Sequence, residues 1–120
     1  MSATVPFGDR LTERVRATGS ALCVGLDPRA PFPDAVLRGL SDSRSGQARA
    51  VERYCEGLIE AVAPHCCAVK PQVALFELLG GYGLTALDAV CRTAHEHGLL
   101  VIADAKRGDI SSTAADRKST

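Results

Sequence analysis

Apolar residues in this chain alternate between two patterns. Short, nearly continuous apolar runs occur at residues 21–26 (ALCVGL), 66–69 (CCAV) and 99–103 (LLVIA). Runs of that length and continuity predict strands of a parallel sheet, buried on both faces. Between them the spacing is helical. Residues 48–63 place Val51, Tyr54, Cys55, Leu58 and Val62 on one stripe, with Arg49, Glu52, Arg53, Glu56 and Glu60 mostly elsewhere. After a Gly-rich turn at residues 80–83, Leu84, Leu87, Val90, Cys91 and Ala94 form a second stripe. Residues 9–18 predict a leading helix, with Leu11 and Val15 one turn apart and Gly19 as its stop. Pro64 and Gly98 end the two later helices. Residues 28–47 hold three prolines and read as a long loop with one helical turn near residues 34–40. The order is helix, then β-α-β-α-β, which implies an α/β fold with a parallel sheet and right-handed crossovers. Periodicity alone fits an open doubly wound sheet or a piece of a barrel.

Composition narrows the function classes. The 120 residues suit one domain, residues 1–120, whereas a complete (β/α)8 barrel needs ~250. Lys plus Arg and Asp plus Glu are both 14, a net charge of zero. That balance argues against a nucleic-acid or membrane-surface partner but allows a small phosphorylated ligand. No apolar stretch approaches the ~18 residues of a membrane span, and no basic-then-apolar leader opens the chain, so a cytoplasmic location is expected. The five cysteines show no C-x-x-C spacing. They are expected to be buried, reduced thiols.

The three predicted strands end at Asp27, Lys70 and Asp104, and the carboxyl ends of parallel strands are where sites form. Alternation puts Asp104 and Lys106 on one side, sharing the parity of Leu100 and Ile102, which would face a barrel interior. Gly108 permits a turn that returns Asp109 toward Lys106. An ammonium between carboxylates follows, with Lys70 nearby. Two like charges ~4 Å apart cost about 4 kcal/mol at an effective dielectric of ~20, and buried ion pairs add little net stability. A reaction explains such an array better than folding does. The competing reading is a solvated surface network. Gln72 and Glu77 flank Lys70, either supporting it or facing a helix. His95 and His97 lie two apart at a helix end, without zinc spacing, and read as exposed. Arg107 reads as structural or interfacial.

The run DAKRGDISSTA (residues 104–114), with GLDPR after the first strand and VKPQVALFE after the second, closely resembles the orotidine 5'-monophosphate decarboxylase family, in particular a longer bacterial subgroup. The likeness spans about residues 5 to 115. It implies a (β/α)8 TIM-barrel homodimer without metal or organic cofactor. The implied activity converts orotidine 5'-monophosphate to UMP and carbon dioxide in pyrimidine biosynthesis. It assigns the catalytic Lys-Asp-Lys-Asp tetrad to Lys70, Asp104, Lys106 and Asp109, with Lys106 as proton donor. Asp27 and Lys70 would bind substrate, Asp27 through the ribose. Asp109 and Thr113 would reach the partner subunit's site.

The match fails after Ala115, where the chain reads DRKST. The expectation is therefore a partial barrel: the leading helix plus about the first three β/α units, unclosed, and inactive alone. The family's phosphate-gripping loops follow later strands that this chain lacks. Two other readings are a related magnesium-dependent barrel enzyme, such as a hexulose-phosphate synthase or keto-gulonate-phosphate decarboxylase, and a non-catalytic remnant.

Overall fold

A computed structural model describes residues 5–103. The leading helix, α1, spans Phe7–Thr18 and stops at Gly19, whose φ of +70° gives the left-handed turn that a Cβ disfavours. Strand β1 is Cys23–Leu26. The loop after it contains a cis Ala30–Pro31 bond and one short helix, α2, at Asp34–Leu37. Helix α3 spans Arg44–Val62 and runs through a 3-10 turn, Ala63–His65, that takes in Pro64. Strand β2 (Ala68–Pro71), helix α4 (Val73–Glu77), helix α5 (Gly80–Glu96) and strand β3 (Leu100–Val101) follow.

Several boundaries differ from the pattern-based expectation. Helix α3 starts four residues earlier, at Arg44, because the Ser43 hydroxyl caps it by accepting from the Gly46 N–H at 3.2 Å. The glycines at 80, 81 and 83 are not a loop before α5 but its first turn, and α4 was not foreseen. Gly83 packs so closely on α4 that a Cβ there would strike the Phe76 carbonyl oxygen. The α5 stripe is rotated accordingly: Gly83, Ala86, Val90 and Ala94 are buried, while Leu84 is 51% exposed. On α3, Ile59 joins the core at 0% exposure, although the expected stripe omitted it.

The strands form a parallel sheet in the order β1-β2-β3. Register pairs Cys23 with Ala68, Gly25 with Lys70, and Ala68 with Leu100. One face carries Val24, Leu26, Val69 and Val101, which pack against α3, α4 and α5 through Cys55, Ile59, Phe76, Ala86, Val90 and Ala94. On the other face Ala68 and Leu100 meet Leu11 and Val15 of α1, which covers its amino-terminal end. Arg14 fastens α1 there by donating to the Ala63 carbonyl at 2.9 Å. The carboxyl-terminal part of that second face has no helix over it among the described residues. Gly25 is exposed there and Ile102 is 36% exposed, and Cys23, at the start of β1, is exposed on the same face. Cys23 thus departs from the expectation of a buried thiol, whereas Cys55, Cys66 and Cys67 are buried; all five cysteines are unpaired.

Candidate active site

Asp27 and Lys70 are the candidate site residues within the described structure. Lys70 is the third residue of β2, and Asp27 directly follows β1. The register places Lys70 beside Gly25, with Asp27 two residues further along the same strand direction. Strand alternation puts Cys23, Gly25 and Asp27 on one face and Val24 and Leu26 on the other. Packing agrees, since Val24 and Leu26 lie against the helices. A Cβ built on Gly25 would lie 3.7 Å from Asp27 Oδ2, so the Asp27 carboxylate stands over Gly25. Lys70 shares parity with Ala68, on the face away from α3 and α5. Both charged side chains therefore rise from the same face, at the same end of adjacent parallel strands, and both are exposed.

Their electrostatic reach is visible at Cys23, one rung below Lys70. Partial burial against the sheet pushes the Cys23 thiol up, and the Lys70 ammonium pulls it part of the way back. Cys55 lies on the helix side, where burial first, then Glu56 and Asp27, pushes its thiol up to about 12. Neither thiol is a thiolate near neutral pH, so neither is an activated nucleophile.

Asp104, Lys106, Asp109 and Thr113 lie outside the described residues, as does Arg107. On β3, Leu100 shares the Ala68 face, and Ile102 has the same parity. The Ile102 N–H donates to the Val69 carbonyl at 2.9 Å, which carries the ladder past the strand's last assigned residue. Gln72 precedes α4, and its N–H donates to the Leu26 carbonyl at 3.1 Å, tying the ends of β1 and β2 together through backbone. Glu77 ends α4 and is half-buried. His95 and His97 are exposed at the end of α5, and a His97 ring nitrogen lies 2.9 Å from the Thr93 carbonyl.

A cavity of about 620 Å³ opens beside this mouth, and the sequence pattern did not indicate it. Its walls include Pro28, Phe32, Leu40, Gln47, Leu75 and Leu79, but neither Asp27 nor Lys70. It is formed by the loop after β1 folding onto α3 and α4, a tertiary event with no local signature. Among the described residues, no cluster of three or more His, Cys, Asp or Glu could hold a metal ion.

Comparison with known proteins decides the family. Residues 20–117 match the model of the Orotidine 5'-phosphate decarboxylase / HUMPS family. The chain belongs to this family. Orotidine 5'-phosphate decarboxylase from Rhodopirellula baltica is 43% identical over 110 residues, covering 90% of this chain and 36% of that protein. The Streptomyces coelicolor protein of the same name is 41% identical over 110 residues, covering 92% and 37%. In three dimensions the chain is similar to Leishmania donovani UMP synthase, with a TM-score of 0.66 and 40% identity, covering 92% of this chain and 21% of that one. Leishmania donovani OMP decarboxylase gives 0.65 and 40%, covering 91% and 36%. The chain thus spans a little over a third of the length of the curated decarboxylases it matches. The fold is that of these TIM-barrel decarboxylases, and the three parallel strands form an open arc of such a barrel.

Proposed function

We propose that this chain carries the first part of an orotidine 5'-monophosphate decarboxylase site, acting in the cytoplasm within a homodimeric barrel. The observation that supports it best is the shared face of Asp27 and Lys70 at the carboxyl ends of adjacent parallel strands. In a barrel of this family that face lines the interior. Asp27 would hold the ribose. Lys70 would sit beside the tetrad completed by Asp104, Lys106 and Asp109, with Thr113 and Asp109 reaching the partner's site.

The chemistry suits those groups. Breaking the bond from C6 to the carboxylate leaves its electron pair on C6, a vinyl-type carbanion that the ring delocalises poorly. A fixed Lys106 ammonium would stabilise that charge and then protonate C6. Asp104 would lie against the departing carboxylate, while Lys70 and Asp109 keep Lys106 charged and oriented. No metal or organic cofactor takes part in this reading. The binding energy of the 5'-phosphate, gripped by later loops of a full-length barrel, would organise the site; alone, the 120-residue chain would be inactive.

The test is a full-length hybrid in which this chain replaces the segment it matches in the Streptomyces coelicolor relative. Decarboxylation by the hybrid is followed by ultraviolet absorbance. Lys106→Ala is expected to lower kcat by at least about 10³-fold. Near-normal turnover in that variant refutes the assignment.

A further inference from the structure

Gly25 sits at the centre of the candidate mouth, and the described residues do not explain it. A glycine inside a strand weakens that strand, so it marks a bulge, a conformational need or a close approach. β1 pairs regularly with β2 at every residue from Cys23 to Leu26, so no bulge is present. Its φ is not positive, unlike those of Gly19, Gly39, Gly80 and Gly98. Nor does crowding by the described residues require it. At Gly46 a Cβ would strike the Ser41 carbonyl oxygen, and at Gly83 the Phe76 carbonyl oxygen. At Gly25 the nearest heavy atom, Asp27 Oδ2, would be at an ordinary 3.7 Å. The described protein leaves room for a side chain there and does not use it.

The surroundings indicate what uses the room. Gly25 is exposed, Lys70 rises beside it on β2, and the Asp27 carboxylate stands over it. The bare backbone is one residue wide, bounded by an ammonium, a carboxylate and, one rung below, Cys23. Neighbouring strands are ~4.8 Å apart, so a carbon added on Gly25 would stand beside Lys70 and 3.7 Å from Asp27 Oδ2.

We propose that Gly25 is left without a side chain so that the substrate can lie in van der Waals contact with the sheet backbone between Asp27 and Lys70. The residue sets the depth of the pocket and so selects for a flat nucleotide. This rests on the decarboxylase reading above and deepens it by naming a specificity-determining position. A larger side chain at residue 25 lifts the ligand off the sheet and out of reach of both charged groups.

The test uses the full-length hybrid, with decarboxylation kinetics, UMP affinity by calorimetry and the thermal midpoint as separate readouts. Gly25→Ala is expected to lower kcat/KM about 10-fold and Gly25→Leu about 100-fold or more, with UMP affinity weakening in parallel. The Gly25→Ala midpoint should stay equal or rise, because the described residues leave space for the methyl. Wild-type kcat/KM and UMP affinity in Gly25→Leu overturn the proposal, as do losses that follow a falling midpoint in Gly25→Ala. If Gly25→Leu does not fold, Gly25→Ala decides by the same criteria. A hybrid that binds UMP without decarboxylating sinks the decarboxylase reading alone, and the UMP affinities still judge Gly25. A folded hybrid that does not bind UMP overturns both.

Discussion

At the scale of single residues, the two sides of the sheet impose opposite chemistry on neighbouring groups. Cys55, fully buried under Leu26 and Ile59, is held as a neutral thiol, its ionisation pushed from 9.0 to about 12 by burial, Glu56 and Asp27 in that order. Because the folded value lies above the unfolded one, the stabilisation is complete below pH 9 and is lost as pH rises from 9 toward 12. In the full-length hybrid, under reducing conditions, the urea midpoint should therefore fall across that window. Cys55→Ala should remove part of that fall, although it lowers the midpoint at pH 8 by emptying a core position. Equal alkaline slopes in the two proteins contradict this. The candidate residues were legible at the same scale because they are charged where an apolar run ends. Asp27 and Lys70 stood out for that reason. Gly25 did not, since a glycine carries no signal until its register and neighbours are known.

At the scale of elements, glycines separate packing demands from propensity. Gly57 lies inside α3, exposed, with nothing within 4 Å of a built Cβ. Gly57→Ala should stabilise the hybrid by roughly 0.5–1 kcal/mol, because the helix loses a flexible backbone unit and gains no clash. Gly83→Ala, at the α4–α5 contact, should destabilise by about 1–3 kcal/mol. Both are read from urea unfolding at constant denaturant slope, and the same sign for the two would refute the argument. The same contact explains why α4 was missed: its five residues are too few for a helical period to declare itself, and Leu75 and Phe76 read equally well as strand or loop. The start of α3 was missed because Arg44–Gln47 is polar, and its helix begins at the Ser43 cap before the apolar stripe does.

At the scale of the molecule, three parallel strands make an arc with two edges. β1 and β3 are those edges among the described residues, and β3 pairs through only two residues. The inner face exposes Cys23, and Ile102 at 36%. Exposed edges and an uncovered apolar face promote association between chains. The isolated 120-residue chain is therefore expected to run as oligomers or aggregates in light scattering and to unfold without a sharp monomeric transition. A cooperative monomeric transition would show that the arc is self-sufficient. No helix among the described residues is long and apolar enough to cross a membrane.

The order of elements, the parallel sheet and the charged strand ends were determined by local sequence: apolar runs of strand length, helical stripes between them, and polar residues where each run stops. Those features act over a few residues, so they survive without any knowledge of the partner segments. Which thiols are buried, how α5 is rotated, where the 620 Å³ cavity opens and how much room the described residues leave above residue 25 were decided by tertiary structure. Each depends on distances between residues far apart in the chain, and those distances exist only once the sheet has its register and the helices have packed on one side of it.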